Sequence, residues 1–460
     1  MGGQGDLTRG AGRPHALVVG GGLAGMAAAL ALADGGARVT LLEARRWLGG
    51  ATSSFERDGL VVDTGQHVFL RCCTAYRAFL GRLGVSDRTS LQPWMDIPVL
   101  SPGRPPARLR RDPLPAPLHL ARALARYRLL SPAERAGAVR AAMALRRLDP
   151  KDPHLDRRTF GEWLREHGQS ERAVRSLWDL FALPALNLPA ARASLALAVK
   201  VFRTGLLDRA DAADIGVPLV PLGELHGEAG RRALERAGVR VRLGSRVRAV
   251  LTGPEGATGV ALNDGTLEGD VVVVAVPNDR AGALLPPGAL PADPAGLGLS
   301  PIVNVHVVYD RPVTRLAFAA VVGSPVQWVF DRTAPSGLDR GQYLAVSLSG
   351  AEELVDRPVE WFRRTFLPAL AALFPRAREA RVERFLVTRE RGATFRQAPG
   401  TAALRPGPQA LVPRLYVAGA WTDTGWPATM EGAVRSGLAA ARRALVALGR
   451  TGRLPAEVAA

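Results

Sequence analysis

The chain has 460 residues, 47% of them hydrophobic, which is enough apolar material for two or three domains and excludes a disordered polymer. Its formal charge is +18, yet Lys151 and Lys200 are the only lysines, and no basic run is interleaved with aromatic residues that would stack bases. Such a charge suits nucleic acid, anionic lipid or an acidic partner; the missing basic-aromatic runs argue against the first, and attraction to an anionic bilayer stays plausible.

Residues 1–15 are Gly-rich and polar and lack the apolar core of a secretory leader, so a cytoplasmic chain is expected. Ala16 to Val19 predicts a strand, Gly20-Gly21-Gly22-Leu23-Ala24-Gly25 a turn, and the Ala-rich run after it a helix. Arg38 to Leu42 predicts a second strand, ending in Glu43. The apolar stretch Ala16 to Ala33 is long enough to suggest a membrane span, but its glycines fall at nucleotide-binding positions. Gly20 permits the tight turn, Gly22 lets a pyrophosphate approach the backbone, and Gly25 lets helix and strand lie close. The helix N-terminus then offers unpaired N–H groups to the phosphates, and Glu43 can accept hydrogen bonds from a ribose.

Gly49-Gly50 follows soon after, and such a pair lets the chain pass closely over a pyrophosphate. No second Gly-x-Gly-x-x-Gly occurs, so electrons are expected from the substrate or from a separate donor. From about 94 to 205 the character changes. Pro-rich connections (Pro102 to Pro117) lead to Arg-rich amphipathic helices, one over His119 to Leu130 and another from Ser131-Pro132 to Leu148 with Glu134 in the capping-box position. Thr159-Phe160-Gly161-Glu162 repeats that start signal. Such helices either face a core or, for part of the region, a membrane.

Val239 to Val250 reads as a strand, Asn263-Asp264-Gly265 as a hairpin turn, and Val271 to Pro277 as a buried strand. Alternation in Val303 to Val308 and Tyr343 to Ser347 predicts a separate sheet over about 300–395. Leu415 to Gly419 is a strand ending in Gly, and Pro427 and Glu431 suit the first turn of a closing helix. This alternation predicts an α/β fold: a Rossmann-like nucleotide domain built from 14–93, 206–298 and 399–450, interleaved with an α+β substrate domain from 94–205 and 299–398. Cys72 and Cys73 are adjacent, and the seven histidines have no ligand spacing, so no metal is expected.

The block Glu43-Ala44-Arg45 with Gly49-Gly50-Ala51-Thr52 resembles the extended FAD signature of the flavin amine oxidase and phytoene desaturase superfamily. With Asp63-Thr64-Gly65-Gln66-His67 and Thr422-Asp423-Thr424-Gly425-Trp426-Pro427-Ala428-Thr429-Met430-Glu431-Gly432-Ala433, the chain resembles one branch, the bacterial hydroxysqualene dehydroxylases. Ser300-Pro301-Ile302-Val303-Asn304-Val305-His306 and Ala393 to Gly400 extend the agreement over nearly the whole chain. The resemblance implies an amine oxidase-like fold and reduction of hydroxysqualene to squalene by reduced FAD in hopanoid synthesis.

It further implies that FAD is held by Gly20, Gly22, Leu23, Ala24, Gly25, Glu43, Ala44, Arg45, Gly49, Gly50, Ala51, Thr52, Gly65, Gln66, His67, Val247 (backbone to the adenine), Gly419, Trp421, Asp423, Thr429 and Met430. Many relatives carry Arg where this chain has Ala51, and Asp where it has Ala420. An acid must protonate the leaving allylic hydroxyl; His67, Asp63 and Asp423 are the polar candidates, His67 is favoured over Asp423, and Asp63 reads rather as a turn or structural residue. Equally open is that Gln66 and His67 only hydrogen-bond the cofactor or each other. Expected partners are a long apolar isoprenoid, an anionic bilayer touched peripherally, and a separate electron donor. Two alternatives stand: an oxidative relative (a carotenoid-type desaturase or amine oxidase), and a non-catalytic isoprenoid carrier on the same fold.

Overall fold

Five parallel strands form the central sheet in the order Arg240–Arg242, Arg38–Leu42, His15–Val19, Val271–Val274, Leu415–Val417. They are drawn from the beginning, middle and end of the chain in this computed structural model, which describes residues 13–450. Most of the N-terminal stretch read as lacking a leader lies outside the described residues. Ala16 to Val19 and Val271 to Val274 are fully apolar and buried, as strands covered on both faces must be. Helix Leu23–Asp34 covers one face, and helix Met430–Ala447 lies against it. The two backbones touch at Gly437, where a Cβ would sit 2.1 Å from the Ala24 carbonyl oxygen.

The second large sheet has seven strands, in the order Val382–Thr394, Ser300–Tyr309, Gln342–Leu348, Trp328–Asp331, Phe318–Val321, Asp96–Leu100, Ala107–Arg110. Between Ala107–Arg110 and Ile215 the chain is mostly helical and packs around Phe160, Trp163, Trp178 and Phe202. Ser131 and Thr159 both make complete capping boxes, with Glu134 and Glu162.

Five sequence expectations need correction. The strand expected over Val239 to Val250 is two strands, Arg240–Arg242 in the central sheet and Val247–Gly253 in a separate three-stranded sheet. Residues 243–246 turn between them. The Pro-rich connection contains a strand, Ala107–Arg110, because Leu109 alternates inward between exposed Arg108 and Arg110. The helix expected over His119 to Leu130 is α-helical only from Ala121 to Ala125, preceded by one 3-10 turn. The helix expected to reach Leu148 ends at Arg146. The closing helix begins at Met430, so Pro427 lies ahead of its first turn. Among the described residues no helix is long and apolar enough to cross a membrane.

Candidate functional site: a glycine cradle and a polar wall

The first strand ends in a turn that only glycine can make. Gly20 has φ +110°, and a Cβ there would meet the Ala275 carbonyl oxygen at 2.5 Å; a Cβ on Gly25 would lie 1.8 Å from the Gly20 carbonyl oxygen. The helix that follows starts with Gly22 as its N-cap, has no side-chain cap and carries no acid in its first turn. The N–H groups of Gly22, Leu23 and Ala24 have no partner among the described residues. These free donors and the helix dipole suit a phosphate.

Opposite them runs the Gly49-Gly50 pair. The Gly49 N–H donates to the Gly21 carbonyl (2.9 Å), and a Cβ on Gly50 would approach the Gly22 Cα to 3.0 Å. Two glycine backbones thus face each other with no side chains between. Glu43 is fixed at the end of its strand: its carboxylate accepts from the Gly21 N–H (2.6 Å) and the Arg45 N–H (2.7 Å). Ala44 and Ala51 are exposed, Arg45 reaches across to the Gly50 carbonyl (3.4 Å), and the Thr52 hydroxyl turns inward to the Gly49 carbonyl (2.8 Å). Ser245 and Gly244 donate to the carbonyls of Glu43 and Arg45, both at 2.9 Å, which brings buried Val247 to this edge.

The far end is built by the segment after the hairpin Ser54–Arg57 and Leu60–Asp63. Asp63 is buried and fully engaged. It accepts from the Ser54 hydroxyl (2.6 Å), the Leu222 N–H (2.9 Å) and Arg332 Nη2 (2.6 Å), which makes it a structural carboxylate. The next residues, Thr64 to His67, meet the strand Ser300–Tyr309 at Asn304, whose Nδ2 donates to the Thr64 carbonyl (3.4 Å). Gln66 Nε2 and Asn304 Oδ1 are buried without a protein partner. Orphaned polar atoms are rare inside proteins, and two flanking one glycine mark a place where a polar ligand belongs.

His67 is half-buried, with Nδ1 3.2 Å from the Gly65 carbonyl oxygen. Nδ1 therefore carries the proton, and Nε2 is left as an acceptor. Burial holds its pKa below the ordinary histidine value, and Arg332 adds to this; the Gly65 carbonyl and Asp63 act the other way. Behind it, Tyr76 hydroxyl and His226 Nε2 are 2.7 Å apart, and burial pushes His226 down to about 3.

The C-terminal segment closes this end. Gly419 has φ +144°, and a Cβ there would strike the Trp421 indole at 2.4 Å; that indole donates to the Val276 carbonyl (2.8 Å). Arg405, buried, donates to the carbonyls of Trp421, Thr422 and Trp426 and so braces the loop that Ala420 opens. Thr429 caps the closing helix by accepting from the Gly432 N–H (3.2 Å), and the Met430 N–H has no partner among the described residues. Buried Glu431 reaches sideways to accept from Ala75 N–H (3.2 Å) and Tyr76 N–H (2.7 Å), capping helix Thr74–Leu83. Asp423 stands apart. It is exposed, accepts from the Gly425 N–H (3.0 Å), and shares a shallow hollow with Lys200 and Arg405.

Asn304, Arg332, His226, Arg405 and the capping role of Glu431 were not singled out from sequence. Only Asn304 carried a signal, as a polar residue in a valine run, and its significance came from its fully buried setting. The facing glycines, free helix N–H groups and orphaned Gln66 and Asn304 atoms fit a dinucleotide whose phosphates lie at the cradle and whose polar ring reaches residues 65–67.

A nucleotide-binding α/β domain joined to a mixed sheet, with this cradle, defines a dinucleotide-binding protein. The family model described as flavin containing amine oxidoreductase matches residues 23–445. Cyclohexylamine oxidase from Brevibacterium oxydans shares the fold, with TM-score 0.72 and 20% identity over 95% of this chain and all of that one. Hydroxysqualene dehydroxylase of Rhodopseudomonas palustris is 31% identical over 94% of this chain and 98% of its own length. That of Sinorhizobium fredii is 30% identical over 93% and 97%. The chain belongs to the hydroxysqualene dehydroxylase family within the flavin-containing amine oxidoreductases, and it is an FAD-dependent oxidoreductase.

Proposed function

We propose that the enzyme removes the hydroxyl of hydroxysqualene reductively, giving squalene for hopanoid synthesis. The observation that carries this reading is the full-length likeness to two relatives of that name. FAD, when bound, supplies the hydride for the carbon that loses its hydroxyl. On this reading Gly22, Leu23, Ala24 and the Gly49-Gly50 pair hold the pyrophosphate, Glu43 the ribose, and Val247 the adenine. Gln66, Asn304, Trp421, Thr429 and Met430 surround the ring. Residues 14–93, 206–298 and 399–450 form the FAD unit, and 94–205 with 299–398 the substrate unit.

Proton handling falls to His67. Its neutral form accepts the substrate hydroxyl at Nε2, and its protonated form donates there, assisting loss of water. Because burial lowers its pKa, the imidazolium is a stronger acid than a free one. Asp423, exposed and tied to Gly425, shapes the loop before the closing helix and is assigned no proton transfer. Electrons come from a separate donor.

The substrate sets where the enzyme works. Its chain gains almost nothing on passing from lipid to an apolar tunnel, whereas passage through water costs about 0.8 kcal/mol per CH2. Peripheral association with a bilayer follows. The test is anaerobic incubation with hydroxysqualene, FAD and a reductant, with products resolved by mass spectrometry. Squalene is expected from wild type and far less from His67→Gln. Conjugated coloured polyenes would assign a desaturase, and a colourless protein that takes up no FAD would assign a carrier.

A further inference from the structure

A groove of about 1120 Å³ opens between the edge strand Ala107–Arg110 and the segment 122–135, and eight arginines and one aspartate line it. Local structure aims these charges outward. Along the edge strand Leu109 is buried while Arg108 and Arg110 are exposed, and further on Tyr127 and Leu129 are buried while Arg126 and Arg128 are exposed. Part of the charge is neutralised within the protein: Arg108 pairs with Asp96, Arg111 with Asp214, and Arg122 with Asp112. Arg104, Arg126 and Arg128 make no ion pair or side-chain hydrogen bond among the described residues. Asp112 is held below the usual carboxylate range by its hydrogen bond from Arg122, with Arg126 and Arg110 adding to the field.

Trp94 lines the groove, and exposed Leu114 and Leu118 follow its Asp112 and Pro113 in the chain. Leu114 is 46% exposed, Leu118 56% and Trp94 38%, with the Arg111 guanidinium 4.2 Å over the Trp94 ring. The groove shares no residue with the glycine cradle, and the proposed substrate is uncharged, so neither the cofactor nor the substrate explains these arginines. A concave arginine cluster recognises phosphate, and leucine and tryptophan beside it are what a helix or loop inserts at the headgroup boundary.

We propose that this groove is the face on which the enzyme sits on an anionic bilayer. Phospholipid phosphates occupy the space between Arg104, Arg126 and Arg128, and Leu114, Leu118 and Trp94 enter the headgroup layer. The proposal rests on the lipid-substrate reading and adds to it the surface and the headgroup chemistry. An acidic protein would be served by the arginines alone; the exposed leucines favour lipid.

Flotation of the holoprotein tests this, with vesicles of phosphatidylcholine alone or mixed with phosphatidylglycerol. Wild type is expected to float with the mixed vesicles, at low salt, and not with phosphatidylcholine. Arg104→Glu/Arg126→Glu/Arg128→Glu should bind the mixed vesicles roughly a hundredfold more weakly, since each basic residue near an anionic surface contributes separately. Arg376→Glu/Arg378→Glu/Arg442→Glu, with the same change in net charge elsewhere, should float as wild type does. Leu114→Ser/Leu118→Ser should also weaken binding, with thermal unfolding unchanged. Equal loss in both charge-reversal variants would overturn the proposal, as would an unaffected groove variant. Wild type that ignores both vesicles but is retained by immobilised polyglutamate would assign the groove to an acidic protein and overturn it too. Flotation needs no turnover, so a groove variant that fails to float yet converts detergent-dispersed hydroxysqualene separates this surface from the catalytic reading.

Discussion

Replacing Asp63 by Asn should be among the most damaging single-atom changes this chain can suffer outside the cradle. Asp63 and Arg332 are 269 residues apart in sequence, and their side chains are only 5% and 9% exposed. Asn at 63 can still accept from Ser54 and Leu222 through Oδ1, but its amide cannot neutralise the guanidinium, which then lies buried beside two donors. Breaking a buried pair by removing one partner costs about 3–5 kcal/mol. Asp63→Ala should cost more, because the Leu222 N–H also loses its acceptor, adding on the order of 1–3 kcal/mol. Asp63→Leu/Arg332→Met removes both charges and should recover the part due to the unpaired guanidinium relative to Asp63→Ala, although the Leu222 N–H still lacks its acceptor. Urea unfolding of the four proteins at one fixed FAD concentration measures this, since bound cofactor itself raises stability. The flavin absorbance of the folded variants reports whether the displaced 64–67 segment still accepts the ring. An Asp63→Asn cost under about 1 kcal/mol, or a double variant no better than Asp63→Ala, would refute the reasoning.

Other outcomes follow from the same geometry. Gly25→Ala places a methyl 1.8 Å from the Gly20 carbonyl oxygen, so the purified protein should be colourless, with flavin content read from its visible spectrum. Glu431→Ala orphans the Ala75 and Tyr76 N–H groups and should cost on the order of 2–4 kcal/mol in chemical unfolding, whereas Glu431→Gln, which keeps an acceptor, should cost less. Stability should fall in acid: burial lowers both His226 and His306 from 6.5 to about 3, so the unfolded chain takes up protons first. That stability is complete above pH 6.5 and is lost as pH falls toward 3. At pH 5 the deficit is about 2 kcal/mol for each histidine, and replacing His306 with Gln should remove its share.

The parts of the fold legible in sequence are those set by neighbours along the chain. Gly25 must lack a Cβ because of the Gly20 carbonyl five residues earlier, and the capping boxes at Ser131 and Thr159 close within one turn. Where long-range pairing decides, local pattern misleads. Arg240–Arg242 and Val247–Gly253 read as one strand because β-propensity does not reveal which sheet each half joins. Ala107–Arg110 hides among prolines because its partner, Asp96–Leu100, supplies the ladder. The candidate site divides in the same way. Its phosphate cradle is local and was readable, whereas the polar wall is assembled from Asp63, Asn304, Arg332 and Glu431, whose partners lie hundreds of residues away. Sequence favours His67 over Asp423 as the acid without showing the setting of either. Tertiary structure separates them, leaving one exposed on a loop and the other half-buried beside Gly65.

On the proposed reading this flavoenzyme delivers reducing equivalents to hydroxysqualene. Holoprotein reduced to completion without oxygen, then titrated with hydroxysqualene, tests it most directly. The oxidised flavin spectrum should return with one squalene formed per flavin. A spectrum that stays reduced, or that reoxidises with no squalene formed, would contradict the account.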